Sequence, residues 1–175
     1  MLVRNIGRAT KLNNLKAGNL FSAEIRDKMC LCIAVEASNE SGLLDAVVLF
    51  PGHPQLDGAP GLLANSVFSQ RVIFAYDNAE IRYSPELGAV IPANYNLEVA
   101  DKPLFLLNSN VYIHFIHERW SEKTVNLLTG KYEEVNRQEA MYAAKWHIVW
   151  KDEAGISYPI CTFKAADPSK DDTPK

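Results

Sequence analysis

Long apolar runs are missing from this sequence. Stretches such as Ala46 to Phe50 and Leu104 to Leu107 fall far short of the roughly 20 residues that a helix needs to cross a bilayer, so no membrane span is expected. Cysteine is scarce as well. Cys30, Cys32 and Cys161 make an odd count of three, and the first two sit too close on an extended chain to bridge each other comfortably. That argues against a disulfide framework and for a reduced, cytoplasmic protein. The first 20 residues hold no acidic side chain, yet they lack the continuous apolar stretch and small-residue cleavage site of a secretory signal, so export is not expected. Nor is there a large charge of one sign. Against 21 Asp+Glu stand 18 Lys+Arg, and the net charge of −3 removes any whole-molecule pull toward nucleic acid or anionic membrane. Also absent are a Gly-x-Ser-x-Gly elbow, a His-Glu-x-x-His pair, a phosphate-cradling glycine loop and a dinucleotide fingerprint. This excludes the common mechanisms that leave a local trace, but not sites assembled from distant residues.

What is present is a well-mixed globular composition, 47% hydrophobic and 22% charged over 175 residues, enough for one ordinary domain or two very small ones. Apolar residues recur mostly with period two, in short runs bounded by Gly, Pro, Asn, Asp and Ser, the pattern of strands joined by turns. An all-β or β-rich fold is therefore expected. The clearest strands are Leu20 to Ile25, Met29 to Glu36, Leu44 to Phe50, Arg71 to Tyr76, Glu80 to Tyr83, Pro103 to Leu107, Val111 to His117, Lys123 to Leu128, Lys145 to Lys151 and Ser157 to Phe163. Arg26-Asp27-Lys28 and Asn108-Ser109-Asn110 read as polar hairpin turns at matching places.

That match extends into an internal repeat. Leu20-Phe21 aligns with Leu104-Phe105; Leu31, Ile33 and Val35 align with Val111, Ile113 and Phe115; Val47, Leu49 and Gly52 align with Val125, Leu127 and Gly130; Val72, Phe74 and Tyr76 align with Trp146, Ile148 and Trp150. Order is kept while loop lengths differ, as a duplication predicts. The opening Leu15-Lys16-Ala17-Gly18-Asn19-Leu20-Phe21 resembles the turn-then-strand start of small SH3-like barrels, which implies two barrel-like halves packed as one globule. A first half over 1–88, with a long loop over 51–66, and a second over 103–164 flank a connecting segment, 89–102. The second half carries a short helix near 132–144, expected from the helical spacing of Val135, Glu139 and Tyr142 after Glu133 and Glu134. Residues 165–175, polar and with two prolines, are expected to be a disordered tail.

Few residues suggest chemistry. His53 and Asp57, in the proline-rich loop, could form a base and its orienting carboxylate, a weak catalytic pair. Cys30-x-Cys32 with His114-x-x-His117 offers thiolate and imidazole ligands for zinc, but the spacing is unusual and His114 and His117 fall on opposite faces of a regular strand. The favoured reading therefore has no metal and no cofactor. Arg4, Arg8, Lys11 and Lys16 form a basic stretch too thin on charge alone for a nucleic-acid partner to be expected. Trp120, Trp146 and Trp150, with His53 and Asp57, are the candidate contacts for a protein partner.

The expected function is thus a non-catalytic binding or scaffolding module for a protein partner, with a homodimer through exposed sheet edges and no membrane association. Two alternatives stand beside it. One is a small-ligand-binding protein or enzyme with a cleft between the halves; the other is a weak nucleic-acid-binding protein, whose affinity must fall steeply with salt.

Overall fold

The computed structural model describes residues 7–37, 42–50, 61–83, 90–92, 104–116, 122–136, 140–143 and 145–164. The chain is β-rich, as its period-two patterning requires. In the first half run β1 (Arg8–Thr10), β2 (Leu20–Ile25), β3 (Lys28–Glu36), β4 (Leu44–Phe50), β5 (Gly61–Leu63), β6 (Ile73–Ala75) and β7 (Ala79–Tyr83). The second half supplies β8 (Val90–Pro92), β9 (Leu104–Leu107), β10 (Asn110–Ile116), β11 (Glu122–Asn126), β12 (Lys131–Tyr132), β13 (Met141–Ala143), β14 (Lys145–Lys151) and β15 (Ser157–Lys164). Among the described residues, two single 3-10 turns, Leu12–Asn14 and Asn65–Val67, interrupt the strands.

Three antiparallel arrays result. Strand order in the first is β1-β6-β2-β3-β4-β5, and in the second β8-β13-β9-β10-β11-β12. Each strand of one order has a counterpart at the same place in the other. A single parallel bridge, Ile116 to Gly61, links the two. The third array is β15-β14-β7, in which Ile81 lies opposite Ile148.

Both β2–β3 and β9–β10 are hairpins closed by two residues with positive φ, Arg26 and Asp27 in one, Asn108 and Ser109 in the other. Such turns match the right-handed twist of the paired strands. The ladders keep the same partners: Leu20 faces Ile33 and Ile33 faces Val47 in the first array, while Leu104 faces Ile113 and Ile113 faces Val125 in the second. The side chains of these six residues meet in one buried core with Trp146, Ile148 and Ile160 of the third array. Facing apolar sides of twisted sheets is the standard way to remove both from water.

Three expectations are corrected. No helix occupies the described part of 132–144: β12 ends at Tyr132, Glu133 donates its backbone N–H to the Thr124 carbonyl at 3.1 Å, and Met141–Ala143 are β13. The open edges of β9 and β8 satisfy the β13 backbone, and tertiary pairing outweighs local helical spacing. Among the described residues neither half closes as a barrel, because the strands at the far edges reach toward the other half. Glu36 donates its backbone N–H to the Gly130 carbonyl at 3.1 Å, the mirror of the Gly61 bridge. Finally, β6, with Phe74, holds the place of β13 and not of β14; the strand placed like β14, with Trp146, Ile148 and Trp150, is β7. Within the connecting segment, 89–102, lies β8. Residues 165–175 lie outside the described residues.

Candidate functional site

The two arrays differ on their outer faces. In the first, β3 and β4 present Cys30, Cys32, Ala34, Leu44, Ala46 and Val48 outward, and these are buried beneath Leu12, Leu15 and Phe68. Every side chain in that layer is apolar or a thiol, so it reads as plain packing.

In the second array the same ladder positions are polar. Ala34 faces Ala46 in the first array, where His114 faces Thr124 in the second; Cys32 faces Val48, where Tyr112 faces Asn126; Leu44 lies opposite Glu36, where Glu122 lies opposite Ile116. His114 is 4% exposed, and Thr124 and Asn126 are also buried. Burying such groups costs free energy unless they are hydrogen-bonded, and here they are. Glu122 Oε2 lies 3.0 Å from His114 Nε2, and Thr124 Oγ1 lies 3.3 Å from Nδ1. A carboxylate only accepts, so Nε2 carries the proton, and in the neutral ring Nδ1 accepts from the Thr124 hydroxyl.

A second group adjoins it. The Tyr112 hydroxyl donates to Glu133 Oε2 at 2.9 Å, and Asn126 Nδ2 donates to Glu133 Oε1 at 3.1 Å. Tyr112 also stacks on Phe105, with ring centroids 5.3 Å apart. Burial, reinforced by the Glu133 carboxylate, raises the Tyr112 phenol above its usual range, so it remains a donor at neutral pH. Beside these groups opens a cavity of about 320 Å³ lined by His114, Glu122, Lys123, Thr124, Tyr132 and Glu133, with Glu134 and Val135 at its margin. Three carboxylates against one ammonium give it a negative character. Burial and the charge of Asp45 push the Tyr132 phenol up to about 12.

The residues named from sequence are dispersed. His53, Asp57, Arg4, His117 and Trp120 lie outside the described residues. Cys30 and Cys32 are buried in the outer core of the first array and His114 in the outer face of the second, so the sheet arrangement separates the proposed zinc ligands. Among the described residues no group of three His, Cys, Asp or Glu side chains could hold a metal ion. Burial raises the Cys32 thiol well above its ordinary value and pushes Cys161 up to about 12, which leaves both protonated and poor ligands.

Trp146 is 2% exposed within the main core and offers no face to a partner, whereas Trp150 is half-buried beside Tyr158. Arg8 is held by Asp77 through two hydrogen bonds, at 2.8 and 3.0 Å, and Lys11 and Lys16 are exposed. Arg71 donates to the Val67 and Glu24 carbonyls. The basic side chains are thus scattered and partly neutralised. No helix among the described residues is long and apolar enough to cross a membrane.

Sequence reasoning found His114 but not Tyr112, Glu122, Thr124, Asn126 or Glu133. The signal was a contrast between the two arrays, visible only once the register aligns polar residues of β10 and β11 with apolar residues of β3 and β4. Comparison with protein-family models, with curated proteins and with solved structures finds no match to this chain.

Proposed function

We propose that the protein is a non-catalytic binding module on an internally duplicated β scaffold, and that the polar cavity of the second lobe receives a protein partner. The equal strand orders, the matched hairpins and the repeated core ladder support the duplication. One observation carries the functional reading: the seam ladder of Leu20, Ile33 and Val47 stays apolar as Leu104, Ile113 and Val125, while Cys32, Ala34, Leu44, Ala46 and Val48 on the outer face of the first lobe are replaced by Tyr112, His114, Glu122, Thr124 and Asn126 in the second. Packing alone gives no reason for that divergence, since the first lobe fills the same face with Ala34, Ala46 and Leu44. A buried polar network is often no more stable than a well-packed apolar one, and residues kept at such a cost are those that function retains. The negative cavity suits a partner with basic or hydrogen-bond-donating side chains. Three free, buried cysteines fit a reducing compartment, and we assign the protein to the cytoplasm.

The test gives the second lobe the first lobe's residues, as His114→Ala, Thr124→Ala and Glu122→Leu together. The folded state is expected to keep its stability or gain about 1 kcal/mol, and partner retention by the immobilised protein is expected to disappear. A loss of more than about 2 kcal/mol in denaturant unfolding, or unchanged partner retention, would reject the reading.

A further inference from the structure

The third array has two outer strands, and their edges are built differently. β15 carries Pro159, and its ladder with β14 shifts register between the pairs Ile148–Cys161 and Val149–Pro159. Proline and such a bulge keep a strand edge from pairing further. β7 has neither, and its five residues pair with β14 without a break. The Lys151 backbone N–H donates to the Asn78 carbonyl at 3.1 Å, so by the alternation of an antiparallel ladder Glu80 and Arg82 exchange their backbone bonds with Val149 and His147. Ala79, Ile81 and Tyr83 therefore direct their backbone groups away from β14. The Ala79 N–H donates to the Tyr76 carbonyl at 3.2 Å, and among the described residues no strand meets Ile81 on that side. Ala79, Glu80 and Ile81 line a cavity of about 410 Å³ to which β14 contributes nothing, and Val111, Leu127 and Leu128, the last 81% exposed, give it apolar surface.

The side chains of β7 select what pairs there. Glu80 and Arg82 share one face of the strand, with Ile81 on the other. Their carboxylate and guanidinium lie 3.0 Å apart and are each more than 40% exposed; Lys151 also donates to Glu80, and Arg82 to Ser157 Oγ. A second β7 laid antiparallel about Ile81 sets Arg82 against Glu80 and Glu80 against Arg82. Parallel pairing in register would instead set each charge against its like. Opposite charges directly across a ladder stabilise it and like charges destabilise it, and a twofold interface requires a surface complementary to itself. The edge therefore fits a second copy of this chain.

We infer that β7 is the interface of a homodimer, in which two copies of the strand pair antiparallel about Ile81 and join their third arrays, three strands from each copy, into one continuous sheet. Ile81 exchanges both backbone bonds with Ile81 of the partner subunit, and Glu80 of each copy faces Arg82 of the other. The contact is short, so the dimer is reversible. The inference does not use the polar cavity, and either can fail without the other.

Sedimentation equilibrium of the full chain from about 1 μM to about 1 mM covers the affinities of a short interface, and a monomer–dimer equilibrium is expected within that range. Arg82→Glu sets acids against acids across the ladder, and Glu80→Arg sets bases against bases. Each alone should weaken dimerisation at least about tenfold. An equimolar mixture of the two variants should dimerise again, because the antiparallel register then sets every acid against a base. Circular dichroism checks that both variants are folded. Hydrogen exchange of the unaltered protein needs no variant: the Ile81 amide should exchange more slowly as the dimer forms. The inference is overturned by a monomer throughout the range, by a dimer that folded variants leave intact, by no recovery on mixing them, or by Ile81 exchange that does not change with protein concentration.

Discussion

Gly130 has φ +68°, and a Cβ there would stand 2.3 Å from the Gly18 backbone nitrogen and 2.5 Å from the Ala17 carbonyl carbon. Left-handed backbone and close contact of two chain segments both demand glycine at that point. Gly130→Ala should therefore destabilise the protein by about 1–3 kcal/mol, measured by urea unfolding; an unchanged midpoint would contradict the close approach of the lobes. The buried thiols make a second residue-scale prediction. Folding raises the Cys161 pKa to about 12 from its ordinary value of 9.0 because the thiolate would be desolvated. Below pH 9 both folded and unfolded forms hold the proton, and the stabilisation is fully present. As pH rises from about 9 toward 12 the unfolded chain releases the proton first, so stability falls by about 1.4 kcal/mol per pH unit for this group. Thermal unfolding between pH 8 and 11 should show that decline, and Cys161→Ala should make it shallower, the remainder coming from Cys32 and Tyr132. The cysteines were legible in the sequence as unbridged, but their inertness depends on burial that no spacing rule supplies.

At the scale of the element, the two hairpins were readable because a polar pair between apolar alternations has few other conformations. The turn type also exposes a poor local fit. Arg26 and Asp27 have φ of 49° and 61°, and neither has glycine's tolerance of that region. Asp27→Gly should stabilise the β2–β3 hairpin by about 0.5–1 kcal/mol, checked by thermal unfolding; a destabilised variant would count against the two-residue turn. The helix expected near 132–144 failed for the opposite reason. Its spacing satisfied a helical template, but Glu133 is drawn to Tyr112 and Asn126, and Met141–Ala143 pair between β9 and β8. Short segments of modest propensity are decided by which sheet edge stands beside them.

For the whole molecule, one buried core draws residues from all three arrays, including Leu20, Val47, Ile113, Val125, Trp146 and Ile160. Neither lobe keeps its inner face covered without the other, so unfolding is expected as a single cooperative transition, with near-UV and far-UV circular dichroism coincident. Separate midpoints would mean that the lobes are energetically independent. By itself the sequence determined the strand-rich class, the two matched hairpins and the apolar ladder of Leu31, Ile33 and Val35 against Val111, Ile113 and Phe115, because alternation and turn chemistry are local properties of the chain. Tertiary structure decided which strands share an edge, that neither lobe closes as a barrel among the described residues, and that β7 pairs with β14 in a third array. It also decided that His114, Glu122, Thr124 and Glu133 gather at one cavity. Those outcomes depend on register and on which faces meet, and contacts between residues distant in the chain have no signature in the spacing of their neighbours.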